Sequence, residues 1–259
     1  MRRIQGAMIV ASLCAAPALA EPPPAPVNLA YHVFFAGFDV ADMHASLALT
    51  PTAYRVQLGY QLTGGLGAMF HGQGESSSDG RFTEAGAQPH ELFSRGAFGG
   101  RWHVTQIDYH GDQPVFTQLQ PPVEKDRDPV PSADQAGSID SLSAMAVLLH
   151  TVWTTGRCDG VARTFDGRWL SRIDVHTAGQ EVLPPTDRSP FHGPALRCDV
   201  EGHQLAGFVH DADEATLHRA HHASVWFAAL APGQKPVPVR IAIETRGFGE
   251  AVIYLVAEP

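Results

Sequence analysis

The chain has 259 residues, 44% of them hydrophobic, and a formal net charge of −9. That apolar content supports a real core, and the length suits one large β domain or two small ones, with one domain the preferred reading. The excess of acid opposes binding to nucleic acid or anionic lipid, and no 20–50-residue period recurs that would indicate a solenoid.

At the N-terminus, Arg2 and Arg3 precede an apolar run from Ala7 to Ala16, and Ala18-Leu19-Ala20 supplies a small-x-small site. These are the three parts of a secretory signal, with cleavage expected after Ala20. A buried N-terminal helix would have to explain why the run stops at Pro17 and passes into the extended Glu21-Pro22-Pro23-Pro24-Ala25-Pro26. Leu13 stands before Cys14 where a lipoprotein signal needs a small residue. The expected product is therefore exported and periplasmic, although an arginine pair alone selects no export route. Residues 21–28 read as a Pro-rich spacer and residues 29–259 as a single β-rich domain. No later stretch approaches the ~18 uninterrupted apolar residues of a spanning helix, so no transmembrane segment is expected in the mature chain.

Within that domain the clearest strand is Ala53–Leu62, where Tyr54, Val56, Leu58, Tyr60 and Leu62 alternate with Arg55, Gln57, Gly59 and Gln61. Weaker alternation marks residues 31–36, 40–49, 101–109, 161–165, 169–177 and 225–230. Thr50-Pro51-Thr52, Asp79-Gly80, Asp166-Gly167 and Ala231-Pro232-Gly233 read as turns between strands. Gly64-Gly65-Leu66-Gly67 also reads as a turn, since no helix follows that could receive a phosphate. At the C-terminus, Val237, Val239, Ile241 and Ile243 alternate with polar or small residues, turn at 246–249, and return through Ala251–Val256. This closing hairpin has a last strand apolar on both faces, which places it inside the sheet.

One helix interrupts the strands. Leu142, Met145, Ala146, Leu149, Val152 and Trp153 fall at helical spacing behind Asp140, whose carboxylate can cap the first turn. No basic residues flank this stripe, so it reads as core-forming rather than membrane-surface. Short strands, Gly-rich turns and a single helix at about 140–153 predict an all-β fold: an antiparallel β-barrel or strongly curved half-barrel, with the helix packed as its plug.

Cys14 leaves with the signal, so Cys158 and Cys198 are an even pair in an oxidising compartment. A disulfide is expected, closing a loop of about 40 residues and contributing roughly 4 kcal/mol through chain entropy. Two buried free thiols or a metal pair are the alternatives, but no Cys-x-x-Cys or Cys-x-x-His occurs.

Candidate chemistry is sparse, with no nucleophile elbow, zincin, Walker or dinucleotide motif present. Among fourteen histidines, His218, His221 and His222 form the densest group, just after His210 and Asp211. On a helix these three would share a face and could bind zinc or copper; as a loop between strands the segment is simply solvated. Ser76-Ser77-Ser78 beside Asp79 resembles a nucleophile only if a base lies within reach, and a polar turn is the plainer reading. Asp166-Gly167-Arg168 can present charge to a ligand or make a tight hairpin turn. If the strand faces converge, Tyr31, Phe35, Tyr54, Val56, Leu58 and Tyr60 would line an apolar cleft; otherwise they fill the core.

The order of several short stretches is distinctive: Tyr31 to Gly37, Tyr54-x-Val56, Thr63-x-Gly65-Leu66, Asp140-x-Leu142-Ser143-Ala144, Phe165-Asp166-Gly167-Arg168, Gly207-Phe208, Val225-Trp226-Phe227-Ala228 and Val237-Pro238-Val239-Arg240. Together they resemble the bacterial domain-of-unknown-function 3108 family over Leu29 to Val256, with Cys158 and Cys198 at that family's cysteine positions. The resemblance implies a secreted, periplasmic β-rich domain and supplies no catalytic residue. Ser141 stands where the family pattern has proline, and the His210–His222 connection is longer than usual, which makes its histidines look like an insertion.

Three functional readings follow. The first is a non-enzymatic envelope factor that holds a lipid, acyl chain or polypeptide segment in an apolar cleft. The second is a metal-dependent or hydrolytic enzyme built on His210, Asp211, His218, His221 and His222. The third is an envelope scaffold recognised by a partner protein. The first is preferred, and no cofactor is implied by any motif.

Overall fold

A computed structural model describes residues 25–84, 86–123, 125–211, 213, 219–245 and 249–257. The first seven strands are β1 (Val27–Phe35), β2 (Phe38–Leu49), β3 (Ala53–Leu62), β4 (Gln73–Thr83), β5 (Gly86–Phe98), β6 (Arg101–His110) and β7 (Gln113–Gln120). The remaining six are β8 (Gly160–Phe165), β9 (Leu170–Leu183), β10 (Gly193–Ala206), β11 (His221–Ala228), β12 (Val237–Thr245) and β13 (Gly249–Ala257). Three helices accompany them: α1 (Gly64–Phe70), α2 (Ser132–Gln135) and α3 (Ser141–Thr155). No helix among the described residues is long and apolar enough to cross a membrane.

All thirteen strands form one sheet in the order β7-β6-β5-β4-β3-β2-β1-β13-β12-β11-β10-β9-β8. The first strand pairs with the last at its centre, Tyr31 opposite Leu255 and Val33 opposite Ile253. Two antiparallel meanders run outward from that seam to β7 and β8, which are consecutive in sequence yet stand at opposite edges. The segment joining them carries α3, which packs on β3, β4 and β5 of one meander and on β8 of the other. A sheet whose two meanders both reach one helix must curl around it. This is the open form of the predicted fold, a half-barrel with a helical plug.

Period-two patterning explains which face does so. In β3, Tyr54 and Val56 are buried while Arg55 and Gln57 are exposed, and in β2 Ala45, Leu47 and Leu49 are buried at every second position. On α3, Leu142, Ala146, Leu149 and Val152 turn their stripe toward these residues. At roughly 2 kcal/mol per fully buried aliphatic side chain, this one interface supplies a large share of the fold's stabilisation. The helix begins where Asp140 accepts a hydrogen bond from the Ser143 main-chain N–H, so the cap survives the serine at 141. At its other end the Trp153 indole donates to the Pro236 carbonyl at 2.6 Å, anchoring the helix to the β11–β12 connection.

The Cys158–Cys198 disulfide is present, with Cα atoms 6.1 Å apart, and ties the lead-in of β8 to β10 across β9. Thr177 of β9 caps this corner: its hydroxyl accepts from the Cys158 N–H at 2.9 Å, and its own N–H donates to Asp159 at 3.0 Å. Those donations from Thr177, with Arg157 beside them, hold the Asp159 carboxyl down at about 2.

Several sequence expectations are corrected. Gly64–Gly67 opens the helix α1 rather than making a turn, so α3 is not the only helix. Ser76, Ser77, Ser78, Asp79 and Gly80 lie inside β4; the feature at Asp79-Gly80 is a register shift against β5, not a reversal. Strand β1 already begins at Val27, two residues inside the stretch read as a spacer. The alternation of Val237–Ile243 and the return strand form the β12–β13 hairpin as expected, with β13 between β12 and β1 inside the sheet. Residues 1–20 of the predicted leader and residues 246–248 of the closing turn lie outside the described residues.

Candidate functional site

The inward face of the first meander contains a polar island. Asp140, Ser143 and Ser78 are almost completely buried. Ser143 Oγ donates to Asp140 Oδ2 at 2.6 Å, Ser78 Oγ donates to the same oxygen at 3.0 Å, and Oδ1 accepts from the Ser143 N–H at 2.9 Å. The Tyr54 hydroxyl then donates to Ser143 Oγ at 2.7 Å. Burial raises the Asp140 carboxyl above the ordinary carboxylate range, opposed in part by the donations from Ser143 and Ser78. Burial is also the main cause that raises the Tyr54 phenol. Both serine hydroxyls are committed to one inaccessible carboxyl group, so the island anchors the start of α3 to β3 and β4 rather than presenting a nucleophile.

Beside it the half-barrel fails to close. The β7 and β8 edges approach where Phe116 meets Phe165 edge-on at 5.4 Å, and Val130, Phe165 and Leu170 form a small separate core there. Arg168 donates across the seam to the Pro121 carbonyl at 2.8 Å, and Arg127 to the Gly207 carbonyl at 2.6 Å. Gly207 is required at this crossing: its φ is +81°, and a Cβ would come within 2.1 Å of the Arg168 carbonyl oxygen.

Farther along the seam the two meanders diverge over α3 and leave a cleft of about 340 Å³. Ala87 and Pro89 of β5, Val147 of α3, Val161 of β8 and Ile139 give it apolar walls. Two polar groups mark its depth and its mouth. The Tyr109 side chain, only 8% exposed, lines its depth, with the hydroxyl buried beside the Asp140 carboxyl. At the mouth, exposed Arg163 donates to the main-chain carbonyls of Asp134 and Ala136, and the Asp112 carbonyl accepts from the neighbouring Gly137 N–H at 2.9 Å. The cleft thus combines apolar walls with a guanidinium at its entrance.

The six residues expected to line a cleft do not surround this one. Tyr31, Tyr54 and Val56 are core residues packed around α3, with the Tyr31 hydroxyl donating to the Pro238 carbonyl at 3.0 Å. Leu58 packs partly against the same core, Phe35 ends β1, and Tyr60, 37% exposed, lies over Gly74. The faces of Tyr31, Tyr54, Val56 and Leu58 converge on the core that holds the helix. His221 and His222 are consecutive residues of β11 and project to opposite faces, while His218 lies outside the described residues. His210 Nε2 donates to Asp128 Oδ1 at 2.8 Å where the 126–128 and 208–210 segments pair, and Asp211 follows it in an exposed turn. Asp166 Oδ1 accepts from the Arg168 and Trp169 N–H groups, so Asp166-Gly167-Arg168 makes the hairpin turn while its arginine spans the seam. A histidine–carboxylate group not singled out from the sequence is His32, Asp39 and Asp42 at the β1–β2 hairpin, all partly or fully exposed.

The cleft residues were legible only piecemeal. Tyr109 and Val161 lie in alternating segments, but nothing local to Ala87, Ile139, Val147 or Arg163 announces a shared site, because four separate elements bring them together.

The fold and the seam define a class: an antiparallel half-barrel plugged by one helix, with a cleft where the sheet stays open. The chain belongs to the family described as "Protein of unknown function (DUF3108)", which matches residues 30–256. Among solved structures it is similar to a beta-barrel-like protein of domain of unknown function DUF1849 from Brucella abortus, with a TM-score of 0.52 at 8% identity, covering 90% of this chain and 96% of that one. At that identity the likeness concerns the fold alone. No curated protein matches the chain.

Proposed function

We propose that this protein is an exported, non-enzymatic envelope factor that holds the apolar tail of an acyl-chain ligand in the seam cleft, with an anionic headgroup at Arg163. The observation that carries this reading is the combination at one opening of apolar walls and a guanidinium whose hydrogen bonds go to neutral carbonyls. The volume falls at the small end of ligand pockets, which suits a single chain rather than a whole phospholipid. Export is supported by the leader-like residues 1–20 and by the disulfide, which persists in oxidising compartments.

Native mass spectrometry of the full chain recovered from the periplasm tests both parts. Expected are a polypeptide beginning at Glu21 and an adduct of acyl-chain mass, with dodecanoate taken up by stripped protein and excluded by Val147→Trp. Arg163→Glu should weaken dodecanoate binding about tenfold while sparing the fold. A bare mass together with no dodecanoate uptake would sink the ligand reading, and an uncleaved leader on cytosolic material would sink the export reading.

A further inference from the structure

The outward face of the first meander carries a second concavity whose chemistry is unlike that of the seam. Its geometry follows from register. Asp42, Gln61, Gln73, Ala97 and Trp102 stand directly opposite one another across β2 to β6, and His44, Gly59, Glu75, Arg95 and Val104 form the next row on the same face. This face is the outer one because the interleaved Tyr54 and Val56 point to α3.

Ala97 hollows it and the His44 ring floors it. At Gly59 a Cβ would come within 2.0 Å of the His44 ring, so the imidazole lies flat across that position. Ala97 leaves open the space between Gln73 and Trp102. The result is a basin of about 480 Å³, walled by Asp42, Gln61, Gln73, the Glu75–Arg95 pair and Trp102. Arg95 Nε meets Glu75 Oε1 at 2.5 Å, which fixes both side chains. Trp102 is 58% exposed, an unusual position for an indole in a strand.

These groups select a ligand by chemistry. One aromatic wall among amides and charges cannot shelter an acyl chain. Two carboxylates against one guanidinium leave the basin with a negative balance, which repels phosphate. The negative face of the indole attracts the weakly positive C–H face of a flat, saturated ring. Carboxylate, amide and guanidinium side chains offer paired acceptors and donors to neighbouring hydroxyl groups. We propose that the outward basin of β2–β6 binds a neutral saccharide, stacked on Trp102 and hydrogen-bonded by Gln61, Gln73 and the Glu75–Arg95 pair.

The test is titration of the full chain with neutral trisaccharides of glucose, mannose, galactose and N-acetylglucosamine, followed by calorimetry and tryptophan fluorescence, with AMP as the anionic stacking control. Expected is saturable binding of at least one trisaccharide with a Kd of about 1 mM or tighter. Trp102→Ala should weaken it at least about tenfold, Trp102→Phe less, and Gln73→Ala severalfold. Because both side chains are exposed, an unchanged far-UV spectrum is expected for each variant. Silence from all four sugars, binding indifferent to Trp102→Ala, or preference for AMP would each overturn the assignment.

Discussion

The Tyr54 hydroxyl, on a strand of the sheet, donates at 2.7 Å to Ser143 Oγ on the plugging helix, 89 residues further along the chain. Through Ser143 the phenol is joined to Asp140, so sheet and helix share one buried hydrogen-bond network. Removing the middle of that chain should cost more than removing its end. Ser143→Ala strands the Tyr54 hydroxyl and takes one donor from the Asp140 carboxyl, leaving the main-chain cap in place, an expected loss of about 2 kcal/mol. Tyr54→Phe leaves Ser143 bonded to Asp140 and should cost about 1 kcal/mol. Urea midpoints at constant m-value measure both.

Asp140 makes the stability pH-dependent. Its carboxyl is raised by burial above the ordinary 3.8, so the folded state binds the proton more tightly than the unfolded chain. The stability tied to that proton is fully present below the unfolded value and is lost as pH rises through the higher folded one. Asp140→Asn keeps a capping side chain and abolishes the titration. Its Tm should therefore gain on that of the unsubstituted protein as pH rises above about 4. A Tm difference that does not change with pH would show that burial is not the controlling cause.

The disulfide should behave as a long-loop staple. Replacing both Cys158 and Cys198, which are 40 residues apart, by alanine should lower stability by about 4 kcal/mol in the chain-entropy account. Denaturation of the double variant against the oxidised protein measures the difference, and the intact mass before and after reduction and alkylation reports the bridge itself.

Gly207→Ala should be severe, because the main-chain carbonyl of Arg168 cannot withdraw and a φ of +81° disfavours any side chain. A loss of about 2 kcal/mol or more is expected. Gly160→Ala, where a Cβ would meet open space, serves as the near-neutral comparison in the same thermal melts.

The contrast between β3 and β4 shows what a reading of local pattern can and cannot reach. Strand β3 announces itself because its inward side chains are apolar and its outward ones polar. Strand β4, with Ser76, Ser78 and Gly80 in the middle, carries no such signal and reads as a turn. It is a strand because β3 and β5 satisfy its backbone on either side, and its inward Ser78 is polar because Asp140 awaits it there. The candidate sites divide in the same way. The aromatic residues of β1 and β3 were recognisable as inward-facing, but whether that face met a ligand or a helix depended on where α3 came to lie.

From the amino-acid order alone came the half-barrel class, the helix capped by Asp140, the pairing of Cys158 with Cys198 and the family resemblance, since each rests on neighbours within a few residues or on the parity of two cysteines. Tertiary structure decided that the sheet stays open between β7 and β8, that Tyr109 and Arg163 share a cleft, and that Trp102 overlooks a polar basin. Those outcomes depend on curvature summed over thirteen strands and on register between distant segments, quantities that no window of sequence contains.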